Sequence, residues 1–154
     1  MHTIEKDWFT KAGLRAVVLF VNNSHRCGYV MLPHNHFLNG VDYSEHSEHL
    51  KKAYEKAMNG AIGKRGTLSV ISAVFSDDEK FTPEIVFDVH GGITYAGGFG
   101  KYPVTSDNWW FGFDCAHWGD ATTYSAEGIF RSVNYVSKEC ESLAEQIKDL
   151  NNDN

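Results

Sequence analysis

LRAVVLFVNNSHRCGYVML, residues 14–32, decides the architecture of this chain. Leu14–Val21 is apolar and β-branched, the composition of a central strand. Asn22, Asn23 and Ser24 are turn formers. His25–Leu32 then reads as the returning strand, which makes the segment an antiparallel hairpin. Downstream, residues 33–43 (PHNHFLNGVDY) form a loop with two histidines, His34 and His36, expected at the surface. Asp42 and Glu45 have the spacing of a capping box. The helix that follows runs to about Asn59 and shows Leu50, Ala53, Tyr54 and Ala57 on one face. Gly60, Gly63 and Gly66 end it. Thr67–Phe75 alternates as a strand, Glu84–His90 reads as another, and Gly91–Gly92 breaks or bulges it before an extension through Ile93–Tyr95. Gly97–Asn108 is a glycine-rich loop and Trp109–Cys115 the last strand. A C-terminal helix runs from about Phe130 to Leu150. Its seam of Val133, Val136, Cys140, Leu143, Ile147 and Leu150 suits a sheet face or a homo-oligomer interface. The expected fold is α+β, in the order ββαβββα. About five strands form an antiparallel or mixed sheet packed by two helices, in one domain over residues 1–154.

Composition narrows the function. A chain of 154 residues has the size of one domain. Its net charge of −6 leaves no basic footprint for duplex nucleic acid. Cys27, Cys115 and Cys140 are odd in number and widely spaced, which argues against a zinc finger or a disulfide framework and for free thiols in a reducing compartment. No apolar run approaches the ~20 residues that cross a bilayer, and the N-terminus lacks the form of a signal peptide. The expected location is the cytoplasm, with no membrane partner. Aromatic residues are 14% of the chain, more than a plain scaffold requires, and can stack on a flat ligand.

Chemistry-bearing residues concentrate between positions 88 and 120. On a strand, Asp88 and His90 share one face, opposite Phe87 and Val89. They serve either a ligand or a structural pairing that caps the bulge. Alternation along Trp109–Cys115 places Trp109, Phe111, Phe113 and Cys115 in the core. Trp110, Gly112 and Asp114 take the other face, where the missing side chain of Gly112 leaves room for a planar ring. Asp114, His117 and Asp120 follow at intervals of three. With His90 they could act as acid/base groups. The same residue types suit a divalent metal, but at no recognised ligand spacing, so no cofactor is expected. Arg26 can grip a phosphate, or pair internally with Asp88 or Asp114. His46 and His49, near the helix start, are expected in solvent. The P-loop, dinucleotide and nucleophile-elbow motifs are all absent.

Three segments, HRCGYVMLPHNHFLNGVDY, FDVHGGITYAG, and WWFGFDCAHWGD followed by VNYVSKECESLAEQI, resemble an uncharacterised family of small proteins encoded by bacteriophages and related mobile elements. The resemblance covers most of the chain and carries no reaction with it. It implies a phage accessory protein in a bacterial cytoplasm, where such genes often counter host defence. By analogy of gene context alone, cyclic nucleotide immune messengers are candidate ligands. The leading expectation is therefore a protein that binds and sequesters a nucleotide-derived small molecule. Trp110, Trp118 and Tyr95 would stack, Arg26 and His90 would hold phosphates, and Asp88, Thr94, Asp114 and His117 would complete the site. The rival is a hydrolase of phosphodiester or glycosidic bonds using His90, His117, Asp114 and Asp120. A third reading is a protein-binding inhibitor acting through its acidic surface.

Overall fold

The computed structural model describes residues 1–60 and 80–151. Among them are five strands, β1 (His2–Phe9), β2 (Arg15–Val21), β3 (His25–Met31), β4 (Tyr95–Gly98) and β5 (Trp109–Asp114), and three helices, α1 (Glu48–Gly60), α2 (Pro83–Val86) and α3 (Val133–Asn151). The strands form one antiparallel sheet in the order β1-β2-β3-β5-β4. The hairpin of residues 14–32 lies at its centre. Asn22 and Asn23 both take positive φ in its turn, a conformation Asn tolerates better than most residues.

Strand alternation sorts the side chains into two cores. Ala16, Val18, Val30, Leu32, Phe111 and Phe113 face the helices and pack with Leu50, Val136, Cys140, Leu143 and Ile147. Full burial of each such Leu, Val, Ile or Phe contributes ~1.5–3 kcal/mol. Gly28 lets α3 approach, because a Cβ there would lie 2.5 Å from Phe113 Cζ and 2.8 Å from Cys140 Sγ. The expected C-terminal seam thus serves the core of its own chain. On the opposite face Val17, Leu19, Cys27, Tyr29 and Trp110 form a second cluster, covered by Tyr102 and Val104 of the glycine-rich loop.

Several expectations change. Glu84–His90 is not a strand. Thr82 is extended before Pro83, which opens the short α2, as the steric rule for residues preceding proline requires. The Asp88 backbone then finds its partners in the buried Gln146 side chain, which accepts from Asp88 N and donates to Asp88 O, both at 2.8 Å. The expected strand Thr67–Phe75 lies outside the described residues. β1 and β4 complete the five strands instead. β1 is almost wholly exposed, so it lacks the apolar alternation by which strands are recognised. It is fixed by pairing with β2 and by Trp8 Nε1 donating to Glu141 of α3 at 2.8 Å. The Asp42–Glu45 pair closes a turn, with Asp42 N donating to Glu45 Oε1 at 3.1 Å. The cap of α1 is Ser47, whose Oγ accepts from Leu50 N at 3.0 Å. No helix of the described residues is long and apolar enough to cross a membrane.

Candidate functional site

The site grows from the backbone around Gly91 and Gly92. Both take positive φ, +70° and +80°, and close a turn in which Gly92 N donates to Val89 O at 2.8 Å. The turn brings His90 beneath the segment that leaves β5. A Cβ on Gly91 would collide with the Cδ2–Nε2 edge of the His117 ring, so the glycine is also the floor on which that imidazole lies.

Asp120 organises what surrounds it. Its side chain is 1% exposed, and it accepts from His90 Nε2 at 2.7 Å, His117 N at 3.1 Å and Arg131 Nε at 2.8 Å. Burial alone pushes its carboxyl up, but hydrogen bonds from Arg131, His90 and His117 N outweigh that and hold it below the ordinary carboxylate range. On the far side of His90, Nδ1 meets Tyr135 Oη at 2.8 Å, while His90 N donates to Glu139 Oε1 at 2.7 Å. His90 is therefore held at both ring nitrogens. Asp114 is fixed by Thr94 Oγ1 at 3.0 Å and Ala116 N at 3.1 Å. His117 Nε2 lies 3.3 Å from Asp114 Oδ1, within ion-pair distance but outside hydrogen-bond geometry, and it is buried without a hydrogen-bond partner. With that edge turned inward against Asp114 and Gly91, the Nδ1 edge is the one left to face outward.

A pocket of about 790 Å³ opens beside this cluster. One wall is the β2–β3 turn, Ser24 and His25. The other is the loop 116–128. Thr123 N donates to Ser24 O at 3.0 Å, and the loop closes on itself through Ala121 N to Ile129 O at 2.8 Å and Ile129 N to Gly119 O at 2.9 Å. Gly128, with φ +98°, permits that closure, since a Cβ there would strike the Gly119 carbonyl. His117, Trp118, Asp120, Thr122, Ser125 and Glu127 line the space. Trp118 is fully exposed. His25 Nδ1 meets Ser24 Oγ at 2.8 Å.

Of the expected site residues, His90, Thr94, Asp114, His117 and Asp120 converge in one cluster, and of these only His117 and Asp120 line the pocket, together with Trp118. The others do not. Trp110 is completely buried in the second cluster with Nε1 on Ser106 Oγ at 2.8 Å. Tyr95 packs edge-on against Tyr29 and Tyr102 on that same face. The space expected over Gly112 is filled by Tyr29, whose Cδ1 would lie 2.5 Å from a Cβ. Asp88 is exposed in the irregular segment that precedes the turn at His90 and Gly91. Arg26 pairs with neither Asp88 nor Asp114; it binds Glu5 of β1 at 2.7 Å and Arg131 O at 2.9 Å. His36 is buried, its Nε2 on Ile147 O at 2.9 Å while Nδ1 accepts from Leu38 N at 3.1 Å. His46 is half-buried between Glu48 and Phe81 N, whereas His49 is exposed and stacks on Phe37. Arg131, Tyr135, Glu139, His25 and Glu127 were not signalled as site residues, because only the folded-back loop brings them near. Among the described residues no group of three or more His, Cys, Asp or Glu side chains is arranged to hold a metal ion. Comparison with protein-family models, with curated proteins and with solved structures finds no match to this chain.

Proposed function

We propose that the chain binds a nucleotide-derived small molecule in the pocket between residues 24–25 and 116–128. The observation that carries this reading is the fully exposed indole of Trp118 on the wall of a ligand-sized pocket that also holds two imidazoles. Exposing a whole indole forgoes the burial that normally recommends tryptophan, and beside a pocket that ring is available to stack on a flat ligand. A volume of about 790 Å³ falls within the usual range for small-molecule pockets. Ser24, Thr122, Ser125 and Glu127 offer hydroxyl and carboxylate partners suited to a sugar.

The recognised part is the base and sugar rather than the phosphate. Arg26 is engaged with Glu5, and Arg131 with Asp120. Among the described residues no Lys or Arg lines the pocket. Phosphates would extend toward solvent. The resemblance to phage-encoded proteins supports including cyclic nucleotide messengers among the ligands, with sequestration as the outcome.

Tryptophan fluorescence tests this directly. Nucleosides, mononucleotides, cyclic dinucleotides and cyclic ADP-ribose isomers are titrated against the protein. A saturable shift in emission, absent in Trp118→Phe, is the expected result. A flat response across the whole panel, confirmed by calorimetry, removes the reading.

A further inference from the structure

We infer that the pocket is a hydrolytic centre for the N-glycosidic bond of a ribonucleoside, with His117 as the proton donor and Glu127 as the base that accepts a proton from water. This rests on the binding reading above and goes beyond it. Both residues line the one pocket, and Trp118 stands on the same wall. Asp114 lies 3.3 Å behind His117 Nε2, and Gly91 packs the same edge of the ring. The imidazole is thus set in one orientation, with its Nδ1 edge toward the ligand. Glu127 is exposed and has no hydrogen-bond or ion-pair partner among the described residues, so nothing there competes for its carboxylate.

The charges select the glycosidic bond over the phosphodiester. Phosphoryl transfer accumulates negative charge and calls for cations placed against it. Among the described residues the pocket offers none beyond its two histidines. Cleavage at C1′ passes through an oxocarbenium-like state, positive at the sugar, which carboxylates stabilise. Glu127 supplies that charge. The step is balanced with water as the only co-reactant. The C1′–N bond breaks and its electron pair departs on the base, which takes the Nδ1 proton of the His117 imidazolium and leaves a neutral ring with its other proton on Nε2, on the Asp114 side. The water oxygen bonds to C1′ and gives its proton to Glu127. Free base and ribose leave. Glu127 then releases its proton to solvent, and His117 regains one.

The test incubates the purified protein with adenosine, guanosine, inosine, cytidine and uridine, and follows free base by chromatography. Trp118 emission reports binding in parallel. Release of base from at least one nucleoside is expected, slowed in Glu127→Gln by roughly 10²-fold or more at saturating nucleoside, the usual worth of a general acid or base. Glu127 is exposed, so this variant folds. Nucleosides that bind but stay intact overturn the hydrolytic assignment and leave the binding reading standing. Equal release by wild type and Glu127→Gln also overturns it. If none of the five nucleosides binds, the hydrolytic assignment falls, and the binding reading falls with it only when the nucleotides and cyclic messengers also fail to bind.

Discussion

Replacing Asp120 with alanine deletes one carboxylate and strands three donors. His90 Nε2, His117 N and Arg131 Nε all lose their acceptor. Arg131 keeps 22% of its side chain in solvent and can turn to water, so no loss is assigned to it. His90 is only 12% exposed. A hydrogen bond to a buried ionised acceptor is worth ~1.5–3 kcal/mol. Taking the lower figure for His90 and for His117 N gives about 3 kcal/mol, at the low end of the ~3–5 kcal/mol that follows when a buried charge pair is broken. For a domain of this length that lowers Tm by roughly 6–12 °C. Urea unfolding followed by circular dichroism measures it, with an unchanged m-value showing that the denatured state is the same. Asp120→Asn is the companion variant. Its amide must turn an NH2 toward either Arg131 or the His90–His117 side, so it is also destabilised, by about 2 kcal/mol. The sign of the pH dependence follows from the depressed carboxyl. The wild-type advantage over Asp120→Ala is full above the ordinary value of ~3.9 and fades as pH falls through the lower folded value. A loss under about 1 kcal/mol for Asp120→Ala, or a gap indifferent to acid, refutes the view that Asp120 holds the site together.

Burial drives the His36 imidazole down to about 4, against the Ile147 carbonyl, which raises it. The unfolded chain takes up that proton first, so stability declines as pH falls from ~6.5 to 4, by about 3 kcal/mol in all; His36→Ala flattens the slope in that window, and equal slopes in both proteins contradict it. Gly91→Ala combines a positive φ with a clash on the His117 ring, so it weakens nucleoside binding at least tenfold while costing about 1–2 kcal/mol of stability; calorimetry and unfolding separate the two, and unaltered binding counts against His117 as a ligand group. Burial pushes the Cys27 and Cys115 thiols up to about 12, and raises Cys140 as well. Ellman's reagent therefore reacts with none of the three until urea unfolds the chain, and fast labelling of any of them in native protein argues against the two cores as drawn.

The fold was legible where alternation met strong apolar character. Residues 14–32 and 109–115 name their strands because one face of each meets the helices and the other a second core. β1 was not legible, since HTIEKDWF buries almost nothing and owes its conformation to the neighbour it pairs with. EIVFDVH misleads for the opposite reason. Its β-branched run is real, but Pro83 and the Gln146 side chain, remote in sequence, decide its backbone. The site divides in the same way. His90, Asp114, His117 and Asp120 could be picked from the density of ionisable residues around two glycines. Alternation also assigned Trp110 to the face away from α3, but gave no sign that the glycine-rich loop covers that face, so a buried residue looked free to stack. Arg131 and Tyr135 precede or open a helix with no local mark of function, and reach His90 and Asp120 only because Gly119 and Gly128 let the loop fold back.

That folding back separates what holds the pocket from what fills it. The groups that fix the loop point inward: Asp120 to its three donors, Gly128 against the Gly119 carbonyl, Thr123 N to Ser24 O. Trp118 and Glu127 point outward and bond to nothing among the described residues. Because the backbone beneath them is already pinned, a ligand need not order the loop, only the two side chains, at ~0.5–1.5 kcal/mol each. Substitution at Trp118 or Glu127 should then change affinity or turnover without moving the unfolding midpoint, whereas substitution at Asp120 moves both. A common drop in stability for all three would mean that the outward side chains also brace the loop, and the pocket would have to be read as a by-product of packing.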